Sequence, residues 1–220
     1  APPALLKEMA LEILRRRLTV VWWGNIRFER AYTRDLCRLL KASGCIAVSG
    51  GVEVASDRVL DLINKGVTLE QLTRSANHFT GTGIMVHAYL MYGFPTETTQ
   101  ETVDSLEVVR QLFELGYIHS GFWHRFAMTA HSPVGLCPER FGTRVTEPPF
   151  GGFARNDVAF EDLQGGDHDE LGGGLSRSLY NYMRGVGFDL PLQKWFDCKI
   201  PATTIPPRFV AHMAEEQEPV

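Results

Sequence analysis

Apolar residues along the first 130 positions follow two alternating periods. Residues 5–17 place them three and four apart, the spacing of a helix face. Residues 18–26, LTVVWWGNI, are β-branched and aromatic and predict a strand. Thr33 predicts the N-cap of a helix that carries Leu36, Leu39 and Leu40 and stops at Gly44. Residues 45–48 form the next strand. Residues 57–64 form a helix with Val59, Leu60 and Ile63 on one face, ended by Gly66. Thr68 and Gln71 predict a capping box for a further helix. Residues 83–92, GIMVHAYLMY, predict a strand, and Thr98 with Glu101 a second capping box. The helix behind it carries Val103, Leu106, Val109 and Phe113 on one side. Residues 117–128 predict a last strand.

Strands alternating with helices imply right-handed βαβ units and a parallel sheet. In such sheets ligands sit at the carboxyl ends of the strands. Strand alternation divides residues 84–91 into two faces. Ile84, Val86, Ala88 and Leu90 suit a covering layer of helices; Met85, His87, Tyr89 and Met91 suit a lumen or cleft. The same alternation groups Ala47, Ser49, Gly51 and Glu53, and groups Trp23 with Asn25 and Arg27. On the last strand His124 and Phe126 share one side, and Trp123 and Arg125 the other.

After about residue 133 the pattern changes. Residues 136–174 are rich in Gly, Pro and acidic residues and predict a long irregular excursion. Residues 175–188 predict a helix closed by glycine, and the tail AEEQEPV predicts a frayed end. The expected organisation is residues 1–135, 136–174 and 175–220.

Composition narrows the classes. The net charge of −4, with no long basic block, gives no support for nucleic acid or a membrane surface as partner. No apolar run approaches the roughly 20 residues that span a bilayer. The first residues are charged and amphipathic, unlike a secretory signal. Cysteines stand at 37, 45, 137 and 198, with no C-x-x-C pair, as expected of scattered reduced thiols in a cytoplasmic protein.

Chemistry concentrates at the end of the second strand, in SGGVEVASD. Gly50 and Gly51 remove side chains where the backbone leaves the strand, which permits a bend or the close approach of a ligand. Glu53 offers two acceptor oxygens, suited to paired ribose hydroxyls or an ammonium group. The other reading of Glu53 is a carboxylate paired with a neighbour such as Arg27, or one favouring the next helix N-terminus. His119, His124 and His131 are poorly spaced for one metal. The acidic stretch GGDHDELGGG reads as a solvated loop.

GGVEVASDRVLDLINKG followed by GIMVHAYLMYGFPTET resembles the second half of the radical S-adenosylmethionine (radical SAM) superfamily, in the branch often attached to cobalamin-binding domains. The resemblance covers residues 18–133. It implies an α/β fold, a partial TIM-like (β/α) barrel of parallel strands with a loop-rich and helical C-terminal extension. It further implies S-adenosylmethionine (SAM) lying across the carboxyl ends of the strands. Glu53 would then contact its ribose or methionine part, and Gly50 and Gly51 would line its path. Ser56 matches the family motif. Tyr92, Gly93, Phe94 and Pro95 would shape the adenine and substrate side, with Phe126 near adenine. His87 and Tyr89 join them as lumen-facing candidates.

Two departures matter. Val54 stands where the family usually has Ser, and the C-x-x-x-C-x-x-C that holds a [4Fe–4S] cluster is absent. The first strand here matches the family's third. The expectation is therefore a fragment of a radical SAM iron–sulfur oxidoreductase or methyltransferase, with cobalamin a candidate cofactor. The parent would generate a 5′-deoxyadenosyl radical or transfer a methyl group; the fragment alone would be inactive. Its partners would be the N-terminal part of the parent, or a second copy covering the exposed sheet edge. Two alternatives stand beside this: a degenerate barrel module for binding or assembly, and a TIM-barrel enzyme using Glu53 and His87 as acid and base.

Overall fold

The computed structural model describes residues 1–146, 156–166 and 168–215. Helix α1 (Pro3–Arg15) precedes strand β1 (Trp22–Ile26), helix α2 (Arg34–Ala42) and strand β2 (Cys45–Glu53). Helices α3 (Asp57–Leu62) and α4 (Leu69–Thr80) lead to β3 (Met85–Tyr92), and α5 (Thr99–Glu114) leads to β4 (Ser120–Arg125). The four strands form one parallel sheet in the order β1-β2-β3-β4. Each crossover carries a helix, as the alternating periods require.

The caps are those the sequence encodes. Thr33 accepts from the Leu36 amide, and Thr98 and Glu101 make both halves of a capping box. Thr68 accepts from the Gln71 amide, but the Gln71 side chain faces the Arg30 guanidinium instead of closing the box.

Several strand limits differ from the sequence reading, each because of what lies alongside. The predicted strand 18–26 is cut to Trp22–Ile26. Its neighbour β2 begins at Cys45 opposite Trp22, so residues 18–21 have no ladder to join. Conversely β2 runs past Val48 to Glu53, through both glycines. The last strand ends at Arg125, opposite the end of β3 at Tyr92, with one further bond from the Phe126 amide to the Tyr92 carbonyl.

One face of the sheet is packed. Val48, Val86, Ala88 and Leu90 are fully buried beneath α2, α4 and α5, whose own Leu40, Leu72, Leu106 and Leu112 are fully buried too. Each such leucine contributes roughly 1.5–3 kcal/mol of transfer free energy. The other face is open. Trp23 is 71% exposed, Phe122 56% and Tyr89 38%. The two-face division read from alternation holds on β1 and β3 and from Ala47 onward on β2; on β4 it fails at Arg125, which is exposed and lines the cleft beside Phe126.

Among its described residues, the excursion after residue 133 holds more regular structure than its composition suggests, while residues 147–155 and 167 lie outside those described. Helix α6 (Pro133–Leu136) and a 3₁₀ turn (Pro138–Phe141) lead into strand β5 (Thr143–Val145), antiparallel to β6 (Phe160–Asp162). Helix α7 is Leu171–Tyr182, beginning four residues earlier than predicted and running through three consecutive glycines. Gly172 fits against the Tyr92 hydroxyl and Gly174 against the Phe196 ring, where a Cβ would collide. Helix α8 (Phe209–Glu215) takes in the first residues of the tail; residues 216–220 lie outside those described. Leu175, Leu179, Tyr182, Trp195 and Val210 join the same core as the sheet.

An open face with exposed Trp23, Met85 and Phe122 favours association. Size-exclusion chromatography with light scattering is expected to give a mass above 24.7 kDa for this chain. A monomer that binds little hydrophobic dye would contradict this.

Candidate functional site

The open face and the carboxyl ends of β2, β3 and β4 hold most of the sequence-predicted residues. At the end of β2 the register shifts between Gly51 and Glu53, and Glu53 adopts φ 57°, in the left-handed region. This costs a non-glycine residue backbone energy, and such costs cluster at functional sites. Glu53 pairs with Lys65 at 2.5 Å, both about a quarter exposed, so its partner is Lys65 and not Arg27. The pair folds over Gly51, where a Cβ would meet both side chains. Among the described residues, no hydrogen bond reaches the second Glu53 oxygen, Oε2. Gly50 faces the other way: a Cβ there would stand 2.6 Å from the Phe28 ring, on the helix side.

On the open face His87 lies 2.8 Å from Ser120 Oγ through Nδ1, and burial pulls its pKa down, so the ring is neutral at neutral pH. Tyr89 meets it edge-on at 5.0 Å, and His124 lies 6.3 Å beyond Tyr89.

The turn after β3 is tightly built. Gly93 (φ 74°) and Thr96 (φ 68°) reverse the chain, and Phe94 and Pro95 are buried. Phe94 packs on Phe126 at 4.8 Å. Glu97 is fully buried. The Phe94 amide donates to its Oε2 at 3.0 Å, and Thr102 Oγ1 lies 2.6 Å from its Oε1. Burial raises the Glu97 pKa. His168 completes the cluster, with Nε2 2.9 Å from the Glu97 carbonyl oxygen and Nδ1 3.3 Å from Thr102 Oγ1. A carbonyl only accepts, so Nε2 donates. If Glu97 is ionised, Thr102 donates to it and Nδ1 must also donate. If Glu97 is protonated, it donates to Thr102, which donates to Nδ1. Burial of the carboxyl favours the arrangement with Glu97 protonated. His168, read from sequence as part of a solvated loop, is therefore a buried anchor; its neighbour Asp167 lies outside the described residues.

Beside this cluster is a cleft of about 570 Å³, a volume suited to a small ligand. Gly93, Phe126, Met128, Phe160 and His168 line it, with Arg125 at its wall. Arg125 is ion-paired with Asp169.

The structure thus gathers Gly51, Glu53, His87 and Tyr89 on the open face and Gly93 and Phe126 in the cleft. Phe94 and Pro95 lie behind the cleft wall. Ser56 lies 3.4 Å from Glu101 through its hydroxyl, and Gly50 is on the helix side. Sequence reasoning missed Lys65, Glu97 and Thr102. A carboxylate wedged between a Gly-Phe-Pro turn and a capping box was the available signal for Glu97. Lys65 lay in the quoted motif but had no partner legible from spacing.

Comparison with known proteins supplies a further finding. Residues 4–109 match the model of the radical SAM superfamily. An uncharacterized methyltransferase of Pyrococcus horikoshii is 27% identical over 105 residues, 48% of this chain and 23% of that protein. The anaerobic magnesium-protoporphyrin IX monomethyl ester cyclase of Rubrivivax gelatinosus is 31% identical over 104 residues, 47% of this chain and 19% of that protein. The chain therefore spans about a fifth of the length of these curated relatives. Among solved structures, the radical SAM methyltransferase TsrM of Kitasatospora setae, with cobalamin and a [4Fe–4S] cluster bound, aligns with TM-score 0.57 at 15% identity. That alignment covers 80% of this chain and 40% of TsrM, a likeness of fold.

A raised carboxyl pKa stabilises the fold fully below the ordinary value near 4.5, and that contribution is lost as pH rises through the raised value. Thermal melts from pH 4 to 8 are expected to show this loss in the wild type. Glu97→Gln, which keeps a donor toward Thr102, should flatten the profile; identical profiles would exclude a protonated Glu97.

Proposed function

We propose, from the match of residues 4–109 to the radical SAM superfamily, that this chain forms the part of a radical SAM barrel that receives SAM at the carboxyl ends of β2, β3 and β4. Glu53 carries this reading. It stands at an open strand end in a left-handed conformation, with one oxygen held by Lys65. Because Lys65 already offsets its charge, the carboxylate suits a neutral vicinal diol, such as ribose, better than an ammonium group. Gly51 leaves room beneath it. The cleft beside Phe126 and Gly93, apolar on one wall and at a strand end, suits the flat adenine.

SAM supplies, when bound, an adenosyl or methyl group; the residues here bind it, orient it and exclude water. The donor set does not fit a [4Fe–4S] cluster. Cys37 and Cys45 are buried, and burial pushes their thiols up to about 12 and about 11, opposite to what thiolate ligands need. Among the described residues no three His, Cys, Asp or Glu side chains converge as metal ligands. Cluster chemistry would therefore come from the remaining N-terminal part of a parent protein, with cobalamin a candidate second cofactor, and this chain alone would be inactive. The same cysteine chemistry favours, as second reading, a binding module without catalysis.

Calorimetry with S-adenosylhomocysteine tests the site. The wild-type chain should bind, and Glu53→Gln should weaken binding about tenfold, or about 1.4 kcal/mol. No binding by the wild type would remove the SAM reading. Purified protein carrying iron at cluster stoichiometry would overturn the assignment of the cluster to another part.

A further inference from the structure

The two motif loops of the proposed site are joined by one side chain. Arg58, in the first turn of α3, reaches across to Thr96 in the loop between β3 and α5 and to Glu101 in the first turn of α5. Its Nε and Nη2 meet the two Glu101 oxygens at 2.6 and 2.7 Å, a bidentate pairing. Nη2 also donates to the Thr96 carbonyl at 3.0 Å, and Nη1 to Thr96 Oγ1 at 3.3 Å. Both partners are fixed from other directions. Glu101 accepts from the Thr98 amide and hydroxyl in the capping box, each at 3.0 Å. Thr96 holds a left-handed conformation, and its amide donates to Asp162 of β6 at 2.9 Å. A second tie runs in parallel: the Ala55 amide donates to the buried Ser105 hydroxyl at 2.9 Å.

We propose that Arg58 is a positioning residue for the ligand site, setting the distance between the Glu53 carboxylate and the Gly93–Phe126 cleft by locking the loop after β2 to the turn after β3. This rests on the SAM reading above for its ligand, but not for its mechanics. A surface ion pair alone is worth little. Arg58 differs because its planar fork engages a carboxylate and a strained turn together, and Lys cannot reproduce that geometry. Asp162 extends the lock to the excursion, so all three walls of the site share one frame.

The test compares Arg58→Met, Arg58→Lys, Glu101→Gln and the Met/Gln double variant in this chain, by amide hydrogen exchange and by titration with S-adenosylhomocysteine. Arg58→Met should speed exchange at residues 93–98 and weaken binding about tenfold, with a melting temperature close to wild type. Arg58→Lys should restore neither, and the double variant should be no weaker than the worse single one. Unchanged exchange at 93–98 overturns the lock. Faster exchange with unchanged affinity overturns the positioning role. If the wild type fails to bind, the SAM reading fails with the ligand role, and the exchange result alone decides the mechanical coupling.

Discussion

The Phe28 ring lies where a side chain on Gly50 would stand, and the Glu53–Lys65 pair lies where one on Gly51 would stand. A side chain at Gly50 would meet a packed ring and one at Gly51 the movable ends of an ion pair, each on the opposite face of the same strand. Phe28 seals the packed face beneath the helices. The ion pair occupies the open face. Between them β2 extends to Glu53, bulges and turns left-handed, and that exit sets where α3 begins and hence where Arg58 stands.

Much of the fold was legible because its signals are local. Caps at Thr33 and Thr98 are read from residue type and spacing, and the face division needs only a period of two. Strand lengths were less legible, since a strand ends where its neighbour does; nothing within LTVVWWGNI says that β2 begins opposite Trp22. The glycine run opening α7 argues against a helix by propensity. Packing against Tyr92 and Phe196 decides otherwise, and such packing is invisible in one dimension.

The site divides in the same way. Glu53 was found because it interrupts an apolar pattern at a strand end. Its partner was not, because Lys65 arrives from beyond α3 and Arg27 was nearer in pattern. Glu97, Thr102 and His168 illustrate the limit more sharply: the histidine is 71 residues from the glutamate, inside a stretch whose composition resembles solvated loop. Only burial turns it into an anchor.

The C-terminal segment is woven into the body of the molecule. Asp104 on α5 accepts from the Thr203 and Thr204 hydroxyls and the Thr204 amide, each at 2.7 Å, while Gln111 on the same helix receives the Val210 amide at 3.0 Å. The helix that covers the sheet is thus itself covered by the tail. The segment from Thr203 to Val210 therefore cannot be removed without uncovering polar groups of α5. The stretch between β4 and α7 is bound in as closely: its Met128, Val134 and Phe141 are buried with Val54 and Val59 from the loop and helix after β2 and Phe94 from the turn after β3.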